Sequence, residues 1–111
     1  MLHLTPEEQR WLDAYRQILD DQFPGLVEEF LIFGSKARGD STPDSDLDLL
    51  LVIAEGDWRR KGEITRPGNM LAIGTEVVPS FVVYTREEWE QRREDRAPFW
   101  QTVTRDGVPV L

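Results

Sequence analysis

The chain has 111 residues, of which 40% are hydrophobic and 31% charged, and its net charge of -8 argues against nucleic acid as the main ligand. No apolar run is long enough to cross a bilayer and no signal-peptide pattern is present, so we expect one cytoplasmic domain spanning residues 1–111, with no membrane segment. The absence of cysteine excludes disulfides and thiolate metal sites, and the single His3 argues against histidine catalysis, which leaves hard cations bound by carboxylates.

The first half of the chain predicts one long helix followed by two strands. Thr5 and Glu8 form a capping-box pattern ahead of apolar residues at helical spacing, and Pro24 ends that helix. The segment LVEEFLIFG is short and rich in branched and aromatic residues, which is typical of a strand. The segment LDLLLVIAE is apolar on both faces beyond Asp48 and therefore predicts a second strand in a central, covered position.

The middle of the chain predicts a helix and a third strand. The helix begins near Asp57, and Pro67 with Gly68 must end or break it, because proline lacks the N–H that a helix interior needs. The segment TEVVPSFVVYT predicts the third strand, in which Pro79 indicates an edge position or a bulge.

The last part of the chain predicts further helix. Thr85 and Glu88 form a second capping box, Pro98 interrupts the helix that follows, and Gly107 stops its continuation. The order is therefore helix, strand, short helix, strand, helix, strand, helix. This order predicts an α/β (α+β) domain with a small mixed β-sheet flanked by helices.

A turn-rich loop begins directly after the first predicted strand with Gly34 and Ser35. The segment SKAR can form a helical turn, so the backbone N–H groups at its start would face an anion, and glycine lets a phosphate approach the main chain. A Gly-Ser pair after a strand is also compatible with an ordinary turn.

The same loop ends with Asp46 and Asp48 at the start of the second predicted strand. On an extended chain, residues two apart face the same way with Cα atoms roughly 6 to 7 Å apart. Two carboxylates at that spacing can share an oxygen-seeking cation such as Mg²⁺. The alternative is a solvent-exposed strand end in which Asp44, Asp46 and Asp48 act as turn formers.

The complete segment FGSKARGDSTPDSDLDLLLV contains a Gly-Ser pair, ten intervening residues and then Asp-x-Asp. This pattern resembles the signature of the DNA polymerase beta-like nucleotidyltransferase superfamily. Within that superfamily the chain is similar to the minimal nucleotidyltransferases, the stand-alone type often encoded beside a HEPN-domain protein. The resemblance implies the polymerase beta-like palm fold.

The resemblance also implies roles for four residues of the segment. Gly34 and Ser35 would contact the triphosphate of a nucleotide, with ATP as the expected substrate, while Asp46 and Asp48 would bind metal, two Mg²⁺ ions in an active enzyme. In such a site one ion activates the attacking hydroxyl and the other neutralises charge on the leaving pyrophosphate.

Three further residues are candidates with competing interpretations. Lys36 and Arg38 could add positive charge near the phosphates, but Lys36 could equally be solvated on a helix surface, and Arg38 could pair with Asp40 or Asp44. Glu76 is the candidate third metal-binding and catalytic carboxylate, at the beginning of EVVPSFVVY. The family usually has aspartate deeper in this strand, and a glutamate at a strand entrance can be merely solvated.

Two functions follow from the resemblance. The first is a nucleotidyltransferase that moves a nucleoside monophosphate from a nucleoside triphosphate to a hydroxyl acceptor, such as a tyrosine of a partner HEPN toxin, in an antitoxin role. The second is a catalytically weak or inactive module that binds nucleotide or a partner protein. Four tryptophans in so small a domain leave room for contact with another chain, either a partner or a second copy in a homo-oligomer.

Overall fold

The computed structural model describes residues 2–42 and 44–111, so Met1 and Pro43 lie outside the described residues. The described chain forms a four-stranded mixed sheet with helices on both faces, which confirms the predicted fold class. Its elements in chain order are α1 (Pro6–Gln22), β1 (Val27–Phe33), α2 (Gly34–Arg38), β2 (Leu47–Ile53), α3 (Trp58–Ala72), β3 (Pro79–Thr85), α4 (Arg86–Glu94), α5 (Pro98–Asp106) and β4 (Val108–Pro109).

The strand order across the sheet is β3-β2-β1-β4, with β2 parallel to β3 and β1 antiparallel to both β2 and β4. The second strand is central and almost fully buried, as its apolar pattern predicts. Its odd-numbered residues, from Leu47 to Ile53, join the core beneath α1 and α3, whereas Leu50 and Val52 pack with residues of α4 and α5. Asp48 therefore projects from the face that α4 and α5 cover, because side chains alternate along a strand.

Helix α1 begins with the predicted capping box. The Thr5 N–H donates to Glu8 Oε1 at 2.9 Å, and the Glu8 N–H donates back to Thr5 Oγ1 at 3.1 Å. The helix packs its aromatic side chains against α3, where the Tyr15 hydroxyl donates to the Ile64 carbonyl at 2.7 Å. Burial raises the pKa of Tyr15, so this phenol remains a neutral donor.

Helix α3 continues through Pro67 to Ala72, so the prediction that Pro67 ends or breaks it is wrong. Tertiary packing outweighs the local penalty of the proline. Trp11 Nε1 donates to the Gly68 carbonyl at 2.8 Å, which ties this part of the helix to α1. A Cβ on Gly68 would crowd the rings of Phe81 and Tyr15, so glycine lets α3 lie close against the sheet and α1.

Strand β3 lies at an edge of the sheet and begins at Pro79, as the edge prediction for this proline requires. The predicted strand began at residue 75, whereas β3 begins at Pro79, so residues 75–78 lie before the strand. The capping box of Thr85 and Glu88 is present at α4. Pro98 occupies the first turn of a separate helix, α5. The two-residue strand β4 was not predicted, because it is defined by its pairing with β1 and is too short to show a strand pattern.

Within the described residues, no helix is both long enough and apolar enough to span a membrane.

Candidate functional site

Asp48 lies near the start of β2, the strand between β1 and β3. Its antiparallel partner on β1 is Phe33, and its parallel partner on β3 is Ser80. The carboxylate is half-buried between these neighbours. The position beside Asp48 on β3 is therefore occupied by a hydroxyl side chain rather than by a third carboxylate.

Gly34 lies directly against Asp48. It is the first residue of α2 and has a φ of 73°, a left-handed conformation that side chains other than glycine adopt at a cost. A Cβ at this position would overlap the Asp48 carboxylate. The structure thus brings the predicted Gly-Ser turn and one of the two predicted metal ligands into contact.

The charge of Asp46 acts on the Asp48 carboxylate. Burial raises the pKa of Asp48, and the negative charge of Asp46 raises it further, while the positive charge of Arg38 opposes both effects. Two carboxylates that repel each other in this way stabilise a cation placed between them.

The donor set of this site fits Mg²⁺. This ion is commonly held by one or two carboxylates together with water and the phosphates of a substrate, and Asp46 and Asp48 are the residues that would supply the protein part of such a set. Across residues 2–42 and 44–111, no group of three His, Cys, Asp or Glu side chains is arranged to hold a metal ion.

Glu76, the predicted third carboxylate, is accordingly not grouped with Asp46 and Asp48. It precedes β3, its side chain is exposed, and its backbone N–H donates to Glu7 Oε1 at 2.8 Å. The register of β2 and β3 instead makes Ser80 the direct neighbour of Asp48, a pairing that the sequence alone does not predict.

Lys36 is buried, so the interpretation of this residue as solvated is wrong. Its Nζ lies 3.2 Å from Glu8 Oε1, and the two side chains are only 3% and 7% exposed. Glu8 was predicted as a helix cap alone, and its ion pair was missed because it depends on how α1 packs beside α2.

Arg38 lies on the exposed side of α2. Its Nε is 3.2 Å from Asp40 Oδ2, so the predicted pairing with Asp40 is present. The positive charge of Arg38 also lowers the pKa of Asp106 in α5, although the Arg105 side chain contributes more to that effect. The charge of Arg38 therefore acts on Asp48 at the start of β2 and on Asp106 at the end of α5.

Comparison of the sequence with known proteins gives two matches. The family model for the nucleotidyltransferase domain matches residues 12–97. A proposed protein adenylyltransferase from Methanocaldococcus jannaschii is 36% identical over 45 residues, which cover 40% of this chain and 45% of that protein. The chain thus matches less than half the length of this relative.

Three solved structures are similar to the described fold. A toxin-antitoxin complex with AMP-PNP contains a chain with a TM-score of 0.59 and 20% identity, over 88% of this chain and 70% of that one. A chain of the MntA-HepT toxin-antitoxin has a TM-score of 0.53 and 19% identity, over 91% and 69%. A proposed nucleotidyltransferase from Sulfolobus solfataricus has a TM-score of 0.55 and 25% identity, over 93% and 81%.

Proposed function

Because the chain belongs to the nucleotidyltransferase domain family, we propose that it transfers a nucleoside monophosphate from a nucleoside triphosphate, with ATP as the first candidate, to a hydroxyl group of a partner protein. The observation that carries this proposal is the contact between the Gly34 turn and the Asp48 carboxylate. A polyphosphate seated at that turn would lie next to the carboxylates that hold its counter-ion.

In this proposal Gly34 and Ser35 bind the phosphates, and Asp46 and Asp48 hold Mg²⁺. Glycine at position 34 lets the turn lie directly against Asp48, and the Ser35 hydroxyl donates a hydrogen bond to a phosphate oxygen. Arg38 adds positive charge on the exposed side of the turn. When bound, Mg²⁺ supplies charge neutralisation at the α-phosphate and at the leaving pyrophosphate.

The reaction is a displacement at the α-phosphorus. The acceptor oxygen forms a bond to that phosphorus, the bond to the bridging oxygen breaks, pyrophosphate leaves, and the proton of the acceptor hydroxyl is released to solvent. The residues of this chain orient the triphosphate and keep the two repelling carboxylates together. This positioning lowers the activation barrier of the displacement.

For the acceptor we propose a tyrosine of a HEPN-domain protein, which would make this chain an antitoxin. Support comes from the structural neighbours, which include toxin-antitoxin complexes, and from the protein adenylyltransferase named for the archaeal relative. Large apolar side chains that are more than half exposed and lie on α3, at its C-cap or just before β3 also favour a protein partner. They are Trp58, Met70, Ile73 and Val78.

The test uses ATP labelled at the α-phosphate, purified protein, Mg²⁺ and a HEPN-domain protein from the same genome. We expect label on the HEPN-domain protein, release of pyrophosphate, and no labelling when EDTA removes the divalent ion. ATP labelled at the γ-phosphate is the matched control and should transfer nothing. Labelling from the γ-phosphate would show phosphoryl transfer and would refute the proposal.

A second candidate is a module that binds nucleotide or a partner without turnover. Ser80 favours it, because this residue stands beside Asp48 where a third carboxylate would complete the metal site. Calorimetry with ATP in the presence of the HEPN-domain protein distinguishes the two functions. Binding of ATP without release of pyrophosphate would support the binding function over the transferase function.

The third ligand can be tested by two substitutions. Ser80→Asp adds a carboxylate directly beside Asp48 and is expected to raise the affinity for Mg²⁺ several-fold, because ligand charge sets the affinity of such sites. Glu76→Gln removes an exposed carboxylate and is expected to leave that affinity unchanged. Both are measured by Mg²⁺ titration with ATP present. Weaker Mg²⁺ binding in Glu76→Gln would support the role predicted for Glu76 from the sequence.

A further inference from the structure

Helix α2 is tied to the N-terminal part of the chain by polar contacts that the proposed reaction does not use. The His3 N–H donates to the Lys36 carbonyl at 2.9 Å. The Nζ atom of Lys36 forms an ion pair with Glu8 Oε1 at 3.2 Å. That carboxylate oxygen also accepts the Thr5 N–H at 2.9 Å, so the ion pair is continuous with the cap of α1.

A buried ion pair is an unusual way to attach a helix. Removing two charges from water costs free energy that their mutual attraction only partly returns, so such a pair is weak evidence for stability alone. What it does provide is a fixed geometry, because neither charge can move away from its partner without being left buried and uncompensated. The Lys36 and Glu8 side chains are both almost fully buried.

Helix α2 needs an external anchor. It has only five residues, and a helix of that length has little stability of its own. Lys36 follows Ser35 directly in the chain, so any displacement of Lys36 is passed to the Gly34-Ser35 turn. That turn has no spare room, since Gly34 already lies against the Asp48 carboxylate.

We infer that Glu8 and Lys36 are positioning residues, whose buried ion pair holds the Gly34-Ser35 turn against Asp48 and thereby sets the affinity for the nucleotide. This inference rests on the proposed function. It also gives Lys36 a different role from the phosphate contact implied by the sequence. If the Lys36 ammonium bound a phosphate instead, the buried Glu8 carboxylate would lose its cation.

The test is calorimetric titration of ATP in the presence of Mg²⁺, together with urea unfolding. The main variant combines Glu8→Gln with Lys36→Met. It removes both charges together and keeps a side chain at position 8 that can still cap α1, so the protein should fold. We expect the Kd for ATP to rise about 10- to 100-fold, the range seen when residues behind a ligand set are removed. We also expect the urea midpoint to change little.

Single variants separate the pair from either residue alone. Glu8→Gln and Lys36→Met each leave one buried charge without its partner and should lower the urea midpoint more than the combined variant does. Both should raise the Kd for ATP at urea concentrations where the protein is fully folded. If the combined variant does not fold, Glu8→Gln alone provides the measurement, because it keeps the cap.

Tyr15→Phe is the matched control. It removes a buried hydrogen bond from α1 to the Ile64 carbonyl, so it lowers stability without touching α2. Its Kd for ATP should equal that of the wild type. An unchanged Kd in the combined variant, or an equal rise in Tyr15→Phe, would overturn the inference. A wild-type protein that binds no ATP would instead refute the proposed function itself.

Discussion

Replacement of Asp48 by asparagine is expected to abolish nucleotide transfer and, at the same time, to stabilise the metal-free protein at neutral pH. Activity should fall at least about a hundredfold, the size of effect found when a single group that stabilises transition-state charge is removed. Stability should rise because burial and the charge of Asp46 disfavour the ionised form of Asp48 in the folded state.

The direction of the pH dependence follows from the raised pKa. The folded protein binds the Asp48 proton more tightly than the unfolded chain does. The free energy of unfolding therefore decreases as pH rises from 3.8, the ordinary pKa of aspartate, through the higher pKa of the folded state. Above the folded-state pKa, Asp48 is ionised in both states and its buried charge destabilises the folded protein to the full extent. Urea unfolding of the wild type and Asp48→Asn should therefore differ most at neutral pH and converge in acid.

Magnesium provides a second measurement on the same variant. A ligand that binds only the folded state stabilises it by mass action, so Mg²⁺ with ATP should raise the melting temperature of the wild type but not of Asp48→Asn. Asp44→Asn, which removes an exposed carboxylate from the same loop, should behave as the wild type does in both experiments. A metal-free Asp48→Asn protein that is less stable than the wild type would contradict the electrostatic picture of this site.

Gly34→Ala is expected to cause the largest combined loss of stability and activity. The substitution places a side chain at a φ of 73°, which costs about 1 to 2 kcal/mol for an L-residue in the left-handed region. The added methyl group would also overlap the Asp48 carboxylate and force it or α2 to move. Transfer of α-label should therefore be lost along with part of the stability to urea.

Gly25→Ala separates the two causes. Gly25 has a φ of 75°, and an added Cβ would meet no atom within 4 Å. This variant should lose a similar amount of stability from the backbone and retain full transfer activity. If Gly34→Ala proved no more harmful to transfer than Gly25→Ala, the contact between the turn and Asp48 would not be required for the reaction.

Much of the fold could be predicted because its signals are local. The capping boxes at Thr5 and Thr85, the apolar run after Asp48 and the turn at Gly34 each act within a few residues. Pro67 was misjudged because bonds from α1 and close packing at Gly68 support the helix around it. Strand β4 is too short to carry a pattern, and it exists only because β1 offers an edge.

The candidate site divides in the same way. The roles of Gly34 and Asp48 could be proposed from spacing along one loop, and the structure brings these two residues together. The burial of Lys36 could not be predicted, since its partner Glu8 lies 28 positions earlier in the sequence, on another helix. Ser80 became a candidate neighbour of Asp48 only through the register between two strands that are distant in the sequence.

The two edges of the sheet differ in their capacity to accept a strand from another molecule. Strand β4 offers only two residues, and Pro109 has no N–H to donate. Within residues 2–42 and 44–111, strand β3 is a seven-residue edge strand that pairs only with β2. A further polypeptide that extends the sheet would therefore find a longer edge at β3, beside α3, than at β4.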